Sequence, residues 1–166
     1  MTKTGSWLVL AALIVVVDQA TKYAVVQYFA VNKAVAVTSF FNLVLVYNSG
    51  AAFSFLSDAA GWQRWFFVSI ALAASAWIVY LLRQYPHQRL FALALSLVLA
   101  GAVGNVIDRI LVGAVVDFLD FHAYGYHWPA FNVADSAITC GALLLVWDAF
   151  MPGRKADGEG QKAGSV

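Results

Sequence analysis

The chain has 166 residues, of which 62% are hydrophobic and 11% charged, against about 25% charged in ordinary globular domains. A soluble fold of this size has too little interior to bury that much apolar surface, so the composition excludes a soluble domain and points to a bilayer. The net charge of +1 and the lack of a Lys/Arg-rich tract exclude the electrostatic footprint of a nucleic-acid binder. The single cysteine, Cys140, can form neither an intrachain disulfide nor a cysteine metal cluster, and it reads as a small buried hydrophobe.

A spanning helix needs about 20 mostly apolar residues. The first candidate runs from Trp7 to Val26. Its apolar start behind Lys3 has the look of a signal sequence, but no small-residue cleavage site follows. Asp18-Gln19-Ala20-Thr21-Lys22 comes next, then further apolar residues, so the segment is expected to be a retained helix. Val35 to Leu56 is rich in Val, Phe and Tyr around an Asn48-Ser49-Gly50 break, which predicts short strands about a turn. Trp65 to Leu82 and Leu90 to Ile107 are the second and third spans, joined by a polar hairpin, Arg83 to Arg89, that Pro86 interrupts. Val115 to Ala130 carries aromatics, His122, His127 and Pro129, and predicts a segment lying along the membrane surface. Ala134 to Met151 is the fourth span. The expected fold is an all-α membrane protein with four transmembrane helices, a single domain over residues 1–152 and a flexible cytoplasmic tail over 153–166.

The positive-inside rule sets the orientation. A cytoplasmic N-terminus leaves Lys3, Arg83, Arg89, Arg154, Lys155 and Lys162 inside, against Lys22, Lys33, Arg64 and Arg109 outside. The acids sharpen the asymmetry, because Asp18, Asp58, Asp108, Asp117, Asp120 and Asp135 all fall toward the outer side. Asp148, Asp157 and Glu159 stay inside. Both termini are therefore expected in the cytoplasm.

A charged side chain within a span costs about 2.5–3.5 kcal/mol on insertion scales, so each one calls for a reason. Asp18 and Lys22 are four apart, share a helix face, and can pair as a structural anchor. Asn105 and Arg109 share a face beside Asp108, behind the small residues Ala100, Gly101, Ala102 and Gly104 that let a neighbouring helix approach closely. This group is either a headgroup-snorkelling arginine or a polar scaffold behind a site. Asp117 stands among apolar residues on the outer side. Asn132 and Asp135 open the fourth span, where either residue has the chemistry of a helix cap. Taken together these residues suggest catalysis. Two carboxylates close together in an apolar site share one proton. The ionised partner then activates water, and the protonated partner polarises a scissile carbonyl, without metal, serine nucleophile or cofactor.

At these residues the chain resembles the lipoprotein signal peptidase family (signal peptidase II). The resemblance rests on Asp-Gln-x-x-Lys at Asp18 to Lys22, Asn-x-Gly-x-Ala-Phe at Asn48 to Phe53, and Gly-Asn-x-x-Asp-Arg at Gly104 to Arg109. It continues with Val-Asp-Phe at Val116 to Phe118 and Phe-Asn-x-Ala-Asp at Phe131 to Asp135. It implies a multi-pass protease of the bacterial inner membrane with both termini cytoplasmic and its active site near the outer, periplasmic face. The implied substrate is a prolipoprotein, cut on the N-terminal side of a diacylglyceryl-modified cysteine. Membrane lipids are the other implied partner; no nucleic acid and no oligomer are predicted. The resemblance assigns catalysis to Asp117 and Asp135. Asn48, Gly50, Asn105, Arg109 and Asn132 become site-lining or substrate-binding residues, and Asp18, Lys22 and Asp108 structural polar support. It also implies a small extracytoplasmic β-sheet cradle, in agreement with the strand reading of Val35 to Leu56. No metal and no cofactor are expected, and the resemblance gives His122 and His127 no role.

Three rivals compete with this reading. A metal hydrolase would draw on Asp117, Asp120, His122, His127 and Asp135, although no pair has helical metal-motif spacing. A Ser/Lys peptidase would use Ser49, Ser54 or Ser136 with Lys22. A transport or assembly subunit would use its buried acids for packing or proton movement, which gives no reason for both key acids to lie at one membrane face. Conservative substitution separates them. Asp117→Asn and Asp135→Asn are each expected to leave a folded, membrane-inserted protein that accumulates uncleaved precursor, scored by immunoblot of a lipoprotein; normal processing by either variant contradicts the two-aspartate reading.

Overall fold

A computed structural model describes residues 2–50 and 61–151 of the chain. Ala51 to Phe53 of the second motif, the end of the predicted strand region at Leu56, Ser54, Asp58 and the tail predicted from 153 lie outside the described residues.

Four helices among the described residues are long and apolar enough to cross a membrane: α1 (Lys3–Tyr28), α2 (Trp62–Gln84), α3 (Arg89–Leu111) and α4 (Val133–Phe150). Each extends the predicted span or matches it within a residue. At about 1.5 Å per residue, the 26 residues of α1 cross a hydrocarbon core of about 30 Å with its polar Asp18–Lys22 turn still inside the helix. The interior of the bundle belongs to α3. Of its apolar window 56% is buried, against 17–22% for the other three helices, so α3 is the post on which the others pack. Its composition explains why. Ala92, Ala94, Ala100, Gly101 and Gly104 are buried and small, and small residues let backbones approach where lipid supplies no hydrophobic drive for helix association. Ser96, buried among them, donates to the Ala92 carbonyl at 2.7 Å and so needs no partner from another helix.

The helix ends set the geography. At one end, Trp7 Nε1 donates to the Pro86 carbonyl at 3.0 Å, and Lys3 Nζ lies 2.9 Å from His87 Nδ1. These contacts bind the N-terminus to the α2–α3 hairpin. At the opposite end stands an antiparallel sheet in the order β1 (Val35–Ala36), β2 (Phe41–Asn48), β3 (Val115–Ala123), β4 (Tyr126–His127). β2 pairs with β3 from Phe41↔Phe121 to Asn48↔Val115, with a register irregularity between Leu43 and Val46. Leu45, Val116 and Phe118 are buried against Val25 of α1, which fastens the sheet to the bundle.

Strands are present before the Asn48-Ser49-Gly50 break, and the strand expected after it lies outside the described residues. β2 ends at that break and takes its long partner from beyond α3. The segment expected to lie on the membrane surface supplies that partner as β3, then turns into β4 through Tyr124 (φ 52) and Gly125 (φ 82). Two successive positive φ values are the two-residue hairpin geometry that matches strand twist.

Close packing of α3 on α4 is testable at Gly101. A Cβ built there would meet the Ala134 carbonyl oxygen and come 2.6 Å from Ile138 Cγ1. Alanine gains about 1 kcal/mol over glycine in a free helix, but overpacking costs about 1–3 kcal/mol, and here the obstacle is backbone. Gly101→Ala is therefore expected to lower the thermal unfolding temperature in detergent; an unchanged or raised value contradicts this packing.

Candidate active site

The end of the bundle that carries the sheet collects the polar residues that the sequence singles out. Asp117 projects from β3 and is 2% exposed. Asp135 lies in the first turn of α4, whose N-cap is Asn132. The capping alternative is thereby resolved. Asn132 Oδ1 accepts from the Asp135 N–H at 2.9 Å, which leaves the Asp135 carboxyl free to face the cavity.

That cap also orients the rest of the amide. With its oxygen committed to α4, Asn132 turns Nδ2 toward Asp117 Oδ1 at 2.7 Å. Asn48, at the end of β2, donates from Nδ2 to Asp117 Oδ2 at 3.1 Å, while its Oδ1 accepts from the Gly50 N–H at 3.0 Å. Asn105 of α3 donates from Nδ2 to Asp135 Oδ1 at 2.8 Å. Each carboxyl is thus held by asparagine amides, donors that orient it without neutralising it. Burial, and after it the negative charge of Asp135, push the Asp117 carboxyl up to about 7, against the pull of the Asn48 and Asn132 hydrogen bonds and the charge of Lys22. An aspartate ordinarily titrates near about 3.9.

Both carboxyls face one cavity of about 800 Å³. Asn48, Gly50, Asn105 and Arg109 form part of its polar wall, and Val46, Trp128, Phe131 and Ile138 part of its apolar wall. Arg109 reaches across it, donating from Nη2 to the Gly50 carbonyl at 2.7 Å, with its guanidinium 5.1 Å from the ring centre of Phe67. Cys140, expected to be buried, is exposed on α4 and lines the rim beside exposed Thr139. The face that α4 turns to the bilayer is as apolar as the face it packs, so hydropathy could not distinguish them.

Behind the amides sits the predicted support. Lys22 Nζ lies 2.9 Å from Asp18 Oδ2 and 2.8 Å from Asp108 Oδ2, and all three residues are buried. Gln19, to which the sequence reading gave no role, belongs here too: its Nε2 donates to Asp108 Oδ1 at 2.9 Å and to Asp18 Oδ2 at 3.2 Å. Its place between Asp18 and Lys22 was the available signal. Lys22 is therefore committed to carboxylates, and Ser136 Oγ donates to the Asn132 carbonyl at 2.9 Å, so neither serves a Ser/Lys pair.

The rival metal set does not converge. Asp120 and His127 pair at 2.8 Å in the sheet, Asn42 donates to Asp120 at 2.8 Å, and the His122 ring stacks on His127. Burial raises the Asp120 carboxyl, but the hydrogen bonds from Asn42 and His127 and the histidine charges outweigh it, so the net shift is downward. Among the described residues, no three His, Cys, Asp or Glu side chains form a group able to hold a metal ion.

Known proteins resemble this chain over most of its length. Residues 10–151 match the family described as Signal peptidase (SPase) II. The lipoprotein signal peptidase of Cupriavidus necator is 60% identical over 142 residues, covering 86% of this chain and 81% of that protein. The lipoprotein signal peptidase of a Janthinobacterium species is 57% identical, covering 86% of each. Two solved structures described as bacterial membrane enzymes are 34% identical, with TM-scores of 0.77 and 0.78. They cover 87% and 89% of this chain, and 87% and 94% of their own chains, respectively.

The amide cradle makes a titration prediction. Loss of a donor that favours the charged form raises a carboxyl pKa, so Asn48→Ala is expected to move the Asp117 midpoint upward from about 7. Carboxyl ¹³C NMR of aspartate-labelled protein in detergent reads this directly, and a downward shift contradicts the assignment.

Proposed function

The chain belongs to the lipoprotein signal peptidase family, and from that premise we propose that Asp117 and Asp135 are its catalytic pair. The protein is a multi-pass aspartic endopeptidase of the inner membrane that removes the signal peptides of prolipoproteins. The observation that carries the residue assignment is the shared cavity, in which both carboxyls are held by asparagine amides and the Asp135 charge helps raise Asp117.

The pair holds one proton at neutral pH and titrates as a unit. Its ionised member takes a proton from water, and the hydroxide equivalent attacks the scissile carbonyl carbon. The protonated member gives its proton to the carbonyl oxygen, forming a neutral tetrahedral diol. Collapse breaks the C–N bond as the leaving nitrogen takes a proton from the acid that activated water and the other carboxylate takes one from a diol hydroxyl, which returns the pair to its starting state. Arg109, Asn48 and Gly50 present polar atoms along the cavity and bind the substrate backbone, while Asn105 and Asn132 hold the two acids at their work. Loss of either acid removes general acid–base catalysis, worth about 100- to 10,000-fold.

The substrate is cut on the N-terminal side of a cysteine that carries diacylglycerol. The apolar wall and the position of the cavity at the edge of α4 suit a substrate whose acyl chains remain in the bilayer. Both termini lie in the cytoplasm and the site faces the periplasmic side. Supporting this are the basic residues of the α2–α3 hairpin, the contacts of Lys3 and Trp7 with that hairpin, and the location of the sheet at the other end of the helices. Residues 1–152 form one peptidase domain, and 153–166 a cytoplasmic tail.

The decisive assay presents the purified enzyme with a diacylglyceryl-modified precursor and its unmodified twin. Cleavage of the modified precursor alone is expected, followed by mass spectrometry of the new N-terminal cysteine. Equal cleavage of both contradicts the lipid requirement.

A further inference from the structure

The buried ions behind the site do more than lower one another's cost of burial. Asp18 gives Oδ2 to Lys22, and its Oδ1 accepts from the backbone N–H of Ala134 at 2.8 Å. Asp108 gives Oδ2 both to Lys22 and to the backbone N–H of Val116 at 3.1 Å. Ala134 immediately precedes Asp135, and Val116 immediately precedes Asp117. Each acid therefore grips the backbone N–H of the residue in front of one catalytic aspartate, and one ammonium joins the two grips. Lys22 also donates to Asn105 Oδ1 at 3.1 Å. That bond turns Asn105 Nδ2 toward Asp135, to which it donates at 2.8 Å.

A helix anchor would need only the i,i+4 pair of Asp18 and Lys22. The second acid from α3, the two backbone grips and the amide relay exceed that requirement, and all lead to the two carboxyls. None of the three side chains lines the cavity, and they are at most 4% exposed, so none reaches substrate. We infer that Asp18, Lys22 and Asp108 are positioning residues that together set the separation and relative orientation of the Asp117 and Asp135 carboxyls, acting through Ala134, Val116 and Asn105. This rests on the reading of Asp117 and Asp135 as the catalytic pair. Separation matters because the two acids must share a proton and address one carbonyl, and misplacement by 1 Å can cost about 100-fold in rate.

Removing Lys22 alone leaves two buried carboxylates without their counter-ion, a change that endangers folding. Lys22→Gln combined with Asp108→Asn removes one charge of each sign and preserves the net charge of the group. Gln19→Leu keeps every ion and removes the side chain that bridges both acids. Full-length variants in detergent, shown to be folded by thermal unfolding, are assayed on diacylglyceryl-modified precursor across pH. The double variant is expected to lose about 10-fold or more in kcat with KM little changed, and its pH–rate profile to shift as the coupling between the two acids changes. Gln19→Leu is expected to change kcat and the profile in the same direction by a smaller amount, and it decides the question if the double variant does not fold. Wild-type kcat and profile in the folded double variant, or in Gln19→Leu when only that variant folds, overturn the inference and leave a purely structural ion group. Asp117→Asn run in parallel separates the two levels: if it is active, the catalytic reading itself fails; if it is inactive while the folded test variant behaves as wild type, only the positioning role fails.

Discussion

An ammonium inside a helix that crosses a bilayer must bring its own solvent, and Lys22 does. Its three protons go to Asp18, Asp108 and Asn105, and that demand organises the half of the molecule next to the sheet. A lysine on α1 seeking oxygens draws α3 alongside, through Asp108 and Asn105. The carboxylates have further lone pairs to satisfy, and they find backbone N–H groups at the start of α4 and the start of β3. Four elements, α1, α3, β3 and α4, thereby meet around one charge. Where water is absent, an unpaired polar group costs several kcal/mol, so this network tolerates few alternatives, and the geometry of the site follows from it.

Small residues make the meeting possible. Gly104 lies so near Asp18 that a Cβ would sit 2.6 Å from the Asp18 carboxylate, and Gly141 of α4 lies against the Ala94 carbonyl, with a Cβ 2.7 Å from it. The α3 surface is thus shaped both by what it must touch and by what it must leave out. Hydrophobic burial contributes little direction here, since exposed Leu13, Trp77 and Leu143 are as well solvated by lipid chains as by protein. Polar bonding and close backbone contact specify the bundle instead.

Much of this was legible in the sequence, because a bilayer makes polar residues conspicuous. The spans follow from run length and hydropathy, and Asp18, Lys22, Asn105, Asp108, Asn132 and Asp135 stand out in or beside them. Helical spacing also paired Asp18 with Lys22. Spacing could not report contacts between elements: that Gln19 bridges Asp18 and Asp108, or that the Asn48 amide reaches Asp117 across the sheet. Residues 115–118 of β3 are all buried, so the alternation that marks a half-exposed strand is missing there. Cys140 was misjudged for the complementary reason, since the lipid-facing side of a helix has the composition of an interior.

The pairing of β2 with β3 has a consequence for biogenesis. Asn48 and Asp117 are 69 residues apart in sequence, and Asp18 and Ala134 are 116 apart. During synthesis β2 leaves the ribosome long before its partner, because two further helices, α2 and α3, are made between β2 and β3. Asp135 follows later still, as α4 begins. A half-made chain therefore holds no assembled pair of carboxyls, and on the proposed assignment hydrolytic competence arrives only when the last span joins the others. A protease that handles membrane-anchored precursors is thus kept inert throughout its own insertion by the order of its chain.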